Sequence, residues 1–426
     1  MERNDPRYQA YVEILKEELI PAMGCTEPIA LAYAAAKARE VLGVLPDSVQ
    51  LQVSGSIIKN VKSVIVPNTG HLKGMGAAVA AGIIAGSAEK ELEVISEVSE
   101  EKKSAIRDYL QTVPITIEHT EQGHVFDIVV TERCGQDYAR VRIADYHTNI
   151  CRIEKNGTVL YEVPLLDETV QEDARADRSL LNMQDIWDFA ETADLRDVAD
   201  LLERQIRYNN AIAEEGLLGD YGANIGRVLL TTYGNDVSNR AKAKAAAGSD
   251  ARMNGCELPV IINSGSGNQG ITCSVPLIEY AKELHSGKEK LYRALIISNL
   301  VAIHEKTGIG TLSAYCGAVS AGAGAGAGIV YLCGDGYQAA IHTVVNALAI
   351  VSGIVCDGAK ASCAAKIASS VDAALLGYNM YKCNQEFKGG DGIVMKDIET
   401  TIKGIGRLGK DGMKETNEEI IRLMIE

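Results

Sequence analysis

Aromatic residues are scarce in this 426-residue chain: 17 Tyr, but only 3 Phe and 1 Trp. A surface that stacks single-stranded bases needs such rings in groups, and their scarcity argues against one. Positive charge is also in short supply. Lys and Arg number 42 against 57 Asp and Glu, a net −15, and no basic cluster stands out, so a duplex would meet repulsion. Nucleic acid is a poor partner. No apolar run of ~20 residues is uninterrupted, because Asp335, Gln338, His342, Asn346 and Asp357 break the most apolar region. No membrane association is expected. The first twenty residues carry acids and bases throughout and lack the apolar core of a secretion signal, which points to a cytoplasmic protein. Ten Cys are present without the C-x2-C spacing of a short zinc site. In a reducing compartment they are free thiols, some of them metal ligands or catalytic groups, rather than a disulfide framework.

What the chain does have is length, apolar bulk and glycine. At roughly 150 residues per domain it makes two or three domains. Hydrophobic residues are 46% and Gly 41 of 426, a globular composition with close backbone contacts. Helical spacing runs through Tyr8, Tyr11, Val12, Leu15 and Leu19, and a second helix, 29–41, is opened by Pro28. Val49, Leu51 and Val53 alternate as a half-buried strand, and 62–66 is expected to pair with it. A Gly/Ala helix over 75–85 and an acidic helix over 90–110 follow. Short strands then fill 114–163, with a hairpin turn at Asn156-Gly157. The acidic stretch 167–179 marks a boundary, beyond which helices are expected over 183–214, 240–253, 271–286, 290–305, 317–332, 337–355 and 363–379. The fold expected is an α+β domain over 1–166 followed by an all-α domain over 180–426. The AGAGAGAG run at 321–328 lets either another helix or a cofactor come close.

Cys316 precedes that run, and Cys356 and Cys363 bracket DGAKAS, at separations of 40 (356 − 316) and 7 (363 − 356). Three thiolates suit a cubane iron-sulfur cluster and would leave one iron open to a substrate heteroatom. From spacing alone, buried structural cysteine is the better reading. Cys25, in MGCTEP, falls between two helices, where free N–H groups would lower a thiol pKa, although by sequence alone a packing role is the better reading. NSGSGNQG at 263–270 brings small residues and amides to a helix start that can hold a carboxylate, or is an ordinary turn and cap. Asn68, Thr69 and His71, followed by Lys73, repeat that pattern with a cation added, with His71 as a solvated loop histidine the equal alternative. Lys360 and Lys366 read as surface lysines, and the other six Cys as structural thiols.

YCGAVSAGAGAGAG, GIVCDGAKASCA and NSGSGNQGI together resemble the L-cysteine desulfidase family, relatives of the iron-sulfur L-serine dehydratase alpha chain. The resemblance covers nearly the whole chain. It implies an oxygen-sensitive 4Fe-4S cluster on Cys316, Cys356 and Cys363 and a lyase that turns L-cysteine into pyruvate, ammonia and sulfide. Related dehydratases read Ser-His-Thr where this chain has the Cys25 segment, with His at the position of Cys25. Either residue can remove a proton, so Cys25 becomes the expected base, beside Thr26 and Glu27. The substrate carboxylate is expected on Ser264, Ser266, Asn268 and Gln269 and on Asn68, Thr69, His71 and Lys73.

Three rivals stand beside this reading. L-Serine is an alternative substrate for the same chemistry. The SGSGNQG loop is also similar to the phosphate-side loop of pyridoxal-phosphate dehydratases, although Lys242 and Lys244 upstream lack the usual Schiff-base context. A non-catalytic sensor of a cluster or an amino acid is the third. A homodimer is the default assembly.

Overall fold

Asp5 starts the first helix, α1 (Pro6–Glu18), by accepting from the Arg7 N–H, with Pro6 where no N–H is needed. The computed structural model describes residues 1–120, 124–163, 165, 176–310 and 312–425. Next come β1 (Pro21–Met23), α2 (Thr26–Leu42), β2 (Ser48–Val53), α3 (Gly55–Val61), α4 (Gly74–Ala85) and α5 (Glu100–Thr112). Five strands follow: β3 (Ile115–His119), β4 (Asp127–Cys134), β5 (Asp137–Ala144), β6 (Ile150–Lys155) and β7 (Thr158–Glu162). With β2 they form a sheet in the order β3-β2-β4-β5-β6-β7, parallel only between β2 and β3. Leu51 faces Val130 and Val130 faces Val141. These fully buried residues make one row of the pleat. Because α2 packs on β4 and β5, the sheet fixes the helix that Cys25 precedes. Asn156 and Gly157 turn the β6–β7 hairpin at φ +49° and +82°, the left-handed pair expected there.

The second part is mostly helical. It holds α6 (Met183–Thr192), α7 (Ala199–Leu218), α8 (Ile225–Tyr233), α9 (Val237–Met253), β8 (Pro259–Ile261), α10 (Gly267–Glu283) and α11 (Lys288–Ile309). Then come α12 (Gly317–Cys333), α13 (Tyr337–Val351), α14 (Cys363–Lys382), α15 (Ile398–Arg407) and α16 (Lys414–Ile425). The all-α expectation is corrected by β8, which pairs antiparallel with β1. Three residues are too few for an alternating pattern to show. Two further contacts stitch the parts together. Tyr8 and Tyr11 on α1 meet Phe189 on α6 edge-on at 5.2 and 5.3 Å, and α16 packs on α3. The proposed boundary at 167–179 lies mostly outside the described residues. No helix among the described residues is long and apolar enough to cross a membrane.

Three further expectations are revised. Residues 62–66 are not a strand: β2 pairs instead with β3 and β4, and the short helix α3 just before is buried along its whole length. The acidic helix starts only at Glu100, where Ser99 accepts from the Lys102 N–H. The segment 183–214 is two helices, because Asp194 turns back to accept from the Arg196 N–H between them.

The Gly/Ala run is helix packing. An added Cβ at Gly322 or Gly326 would lie 2.8 Å from Ser370 or Ala374 on α14, and one at Gly324 would lie 2.4 Å from the Ser298 carbonyl on α11. Gly324→Ala is therefore expected to lower stability. A methyl pressed against backbone costs about 1–3 kcal/mol and outweighs the ~1 kcal/mol gained in helix propensity. Urea unfolding checks this, and a midpoint at or above wild type would show that α11 and α12 can separate freely.

Candidate functional site

A short ladder and two helix starts draw three sequence-remote thiols together. Tyr315 bridges Val355, while the Cys316 N–H donates to the Ile354 carbonyl at 3.2 Å and the Cys356 N–H to the Ala314 carbonyl at 2.6 Å. That closes the longer gap. Cys316 is the N-cap of α12 and Cys363 the first residue of α14. Between Cys356 and Cys363, Gly358 turns at φ +92°, and a Cβ there would lie 2.1 Å from the Lys59 carbonyl, so only glycine permits the approach. Cys25 arrives from the first part of the chain as the N-cap of α2. Gly24 before it sits at φ +57°, with Pro67 2.8 Å from where a Cβ would be. All four thiols line one cavity of about 110 Å³.

Charge in that cavity is unusual. Lys59, Arg252 and Lys306 are buried and line it. Burial lowers the pKa of all three, that of Lys306 to about 8. Lys59 donates to the Ser313 and Cys356 carbonyls at 3.4 and 3.3 Å and to Asn417 Oδ1 at 2.6 Å. Arg252 Nη1 donates to Asn268 Oδ1 at 3.2 Å, but its Nε and Nη2 have no partner among the described residues. Burial pushes Cys316 and Cys363 up, and the neighbouring Cys356 adds to it. Cys25 rises well above the usual thiol value, first by burial and then by the charge of Glu27. Its Sγ donates to Glu27 Oε2 at 3.0 Å. Burial works to raise Glu27 too, yet His147 and the Cys25 thiol outweigh it and hold the carboxyl at about 2. His147 Nε2 stands 3.9 Å from Glu27 Oε1, an ion-pair distance, and makes no hydrogen bond among the described residues.

Of the expected site residues, Cys25, Thr26, Glu27, Ser264, Ser266, Asn268, Gln269, Cys316, Cys356 and Cys363 line this cavity. The low thiol pKa expected for Cys25 does not follow. Thr26 Oγ1 donates to the Gly265 carbonyl at 2.9 Å, which ties the Cys25 turn to the glycine-rich loop. Asn68, Thr69, His71 and Lys73 do not line it. Asn68 Nδ2 donates to the Ile95 carbonyl at 2.7 Å and Thr69 Oγ1 to the Val66 carbonyl at 2.7 Å, while His71 and Lys73 are exposed. Their segment is a self-bonded turn that brings Pro67 behind Gly24. Lys242 and Lys244, on α9, are paired to Asp372 of α14 and Glu279 of α10 and do not line the cavity. Lys360 and Lys366 both reach Asp357.

Sequence reasoning missed Lys59, His147, Arg252 and Lys306. No motif marks them. The available signal was weak: one Arg near the end of the Ala-rich helix α9, one Lys in the short helix α3, and Lys306 beside His304 and Glu305 near the end of α11.

The family model for the serine dehydratase alpha chain matches residues 89–422. A UPF0597 protein of Desulfitobacterium hafniense is 61% identical over 425 residues, which cover 100% of this chain and 98% of the relative. UPF0597 proteins of Lachnoclostridium phytofermentans and Treponema denticola are 52% and 46% identical, over 98% and 100% of this chain and 100% of each relative. The family match includes the three gathered thiols, and these relatives also span the Cys25 segment.

A thiol held above pH 9 is mostly protonated at neutral pH. Alkylation of Cys25 by iodoacetamide in the metal-free protein is expected to climb about tenfold per pH unit from 7 to 9 without a plateau. Glu27→Gln removes the charge that helps to hold the proton, and is expected to speed alkylation at pH 8 by roughly tenfold. Peptide mass spectrometry reads both, and a plateau near pH 7 would mean that the thiolate already exists.

Proposed function

The chain belongs to the serine dehydratase alpha chain family, and from that premise we propose that it is a lyase converting L-cysteine to pyruvate, ammonia and hydrogen sulfide with a 4Fe-4S cluster on Cys316, Cys356 and Cys363. One observation carries the reading: a single cavity gathers those three thiols, the Cys25 thiol and the start of α10. L-Serine is the alternative substrate for the same machinery.

The residues present fit a cluster better than a lone ion. A single ion with ~2.3 Å metal–sulfur bonds draws its ligands to within about 4 Å of one another, and no three His, Cys, Asp or Glu among the described residues are so placed. A cluster spreads its thiolates over separate irons. Those thiolates would carry negative charge into a pocket already lined by buried Lys59, Lys306 and Arg252. When bound, the cluster would supply a Lewis-acid iron without a protein ligand, where the substrate's β-substituent becomes a better leaving group. The chain does the rest. Free N–H groups at the start of α10 hold the substrate carboxylate. Cys25, fixed to that loop through Thr26, stands to take the α-proton once the thiol has passed its own proton to the Glu27 carboxylate that accepts from it. Elimination leaves an aminoacrylate, which water hydrolyses to pyruvate and ammonia. His147 is a rival base, since it lines the same cavity and its Nε2, 3.9 Å from Glu27 Oε1, makes no hydrogen bond among the described residues.

The test is anaerobic reconstitution with iron and sulfide, followed by pyruvate assays on L-cysteine and L-serine side by side. Cys316→Ala, Cys356→Ala and Cys363→Ala are expected to lose iron and acid-labile sulfide. Cys25→Ala is expected to keep both and lose ~10² to 10⁴-fold in turnover, the range of a general base. Full activity in Cys25→Ala with loss in His147→Gln would move the base to His147. Cluster loss in Cys25→Ala would make Cys25 a ligand and close the open iron.

A further inference from the structure

Arg252 is 2% exposed and lines the cavity, and its guanidinium is satisfied on one side only, by Asn268. The two unpartnered nitrogens, Nε and Nη2, form one straight edge of the fork, the edge that receives both oxygens of a carboxylate. Glu27 is the nearby ionised carboxylate, but no ion pair within 4 Å joins it to Arg252. A charge this buried is costly without a counter-ion, and the described residues supply none within 4 Å of that edge. One neighbour leaves the edge uncovered. A Cβ on Gly267 would lie 2.2 Å from Arg252 Nε, 2.7 Å from its Cζ and 2.6 Å from Val260 Cγ2, so a side chain there would crowd the guanidinium as well as Val260. Gly267 is also the first residue of α10, whose N-cap Ser266 makes no side-chain cap hydrogen bond. Its N–H is one of the free donors of that helix start.

We infer that Arg252 and the first turn of α10 form the site for the carboxylate of a small α-amino acid, with Gly267 required because any side chain there would cover the guanidinium edge. The inference rests on the amino-acid reading of the cavity and adds its anchor. It makes Arg252 a binding residue, separate from the thiols that hold iron and from Cys25.

The experiment uses the anaerobically reconstituted full chain, titrated calorimetrically with L-alanine, which has a carboxylate and an ammonium but no leaving group, and with ethylamine, which lacks the carboxylate. Wild type is expected to bind L-alanine roughly 10²-fold tighter than ethylamine, the scale of a buried charge-assisted pair. Arg252→Gln is expected to remove most of that difference and leave ethylamine binding as it was. Arg252→Lys is expected to restore only part of it, because an ammonium cannot engage both oxygens from one edge. Gly267→Ala keeps the charge and is expected to weaken L-alanine alone, which decides the matter if Arg252→Gln does not fold. Iron and acid-labile sulfide are measured on every variant. L-Alanine affinity that is unchanged in Gly267→Ala or Arg252→Gln would overturn the inference. So would wild type that binds both probes equally, or an Arg252→Gln protein that loses iron while binding L-alanine as wild type does. If neither L-cysteine nor L-serine yields pyruvate but the carboxylate-dependent binding holds, the proposed reaction fails and the carboxylate site stands. Pyruvate formation with a wild-type KM in Arg252→Gln leaves the reaction standing and removes the site.

Discussion

Positive charge buried in one place is the constraint on which this molecule is arranged. Lys59 is 1%, Arg252 2% and Lys306 7% exposed, and all three line the same cavity. Removing an unpaired cation from water costs several kcal/mol even after relaxation. The chain meets that cost unevenly. Lys59 is re-solvated by two backbone carbonyls and by Asn417, which ties the last helix, α16, to the floor of the site. Arg252 keeps an open edge, and Lys306 is left with a pKa near 8. An anion in the cavity relieves both, so whatever negative group enters stabilises the folded state by mass action.

The small-residue stripe of α12 sets the spacing of the thiols. Gly322 meets Ser370 and Gly326 meets Ala374 on α14, the same offset of 48 at both contacts (370 − 322 and 374 − 326). A constant offset means that the two helices run parallel and in step. Carried back to the helix starts, it sets Cys316 level with Ala364, one residue from Cys363. The glycines that let the backbones touch deep in the core thus fix, at the cavity, the separation of two thiols on two different helices. Close packing and site geometry are one feature read at two ends.

This division explains what could be read in the residues and what could not. Long amphipathic or Gly/Ala helices carry their own period, and α1, α2, α4 and α9 to α14 lie where the pattern puts them, within a few residues. The segments that failed are those whose structure is set elsewhere. β8 exists because β1 lies beside it, and α3 is too short to show a period. Among site residues, Cys316, Cys356 and Cys363 were singled out by the family resemblance, since spacing alone favours buried structural cysteine, and the structure adds that they line one cavity with Cys25. Arg252, Lys59, Lys306 and His147 were not. A buried cation or imidazole looks the same in sequence as a solvated one, and only tertiary contacts separate them. The PNTGHLKG segment failed the opposite way: it has the composition of a ligand loop, but Asn68 and Thr69 spend their hydrogen bonds on their own turn and on Ile95.

Cys25 shows how a motif can place a residue correctly and still mislead about its ionisation. Its position at the N-cap of α2 is as read. A helix N-terminus favours an anion by about 0.3–1 kcal/mol, which at 1.36 kcal/mol per pKa unit is less than one unit. Two larger effects oppose it. Full burial alone can raise a thiol by as much as about 3–5 units, and the Glu27 carboxylate lies within hydrogen-bonding distance of the sulfur, at 3.0 Å. Arg252 and the Glu27 N–H pull the other way and do not match them. Because Glu27 is itself held ionised by His147 and by the hydrogen bond from Cys25, the thiol proton is shared between a strong acid's anion and a weak acid's sulfur, and it stays on sulfur. Ionisation of Cys25 is therefore decided by the balance between Glu27 and Arg252. Any group that takes up the charge of one frees the other to act on the thiol.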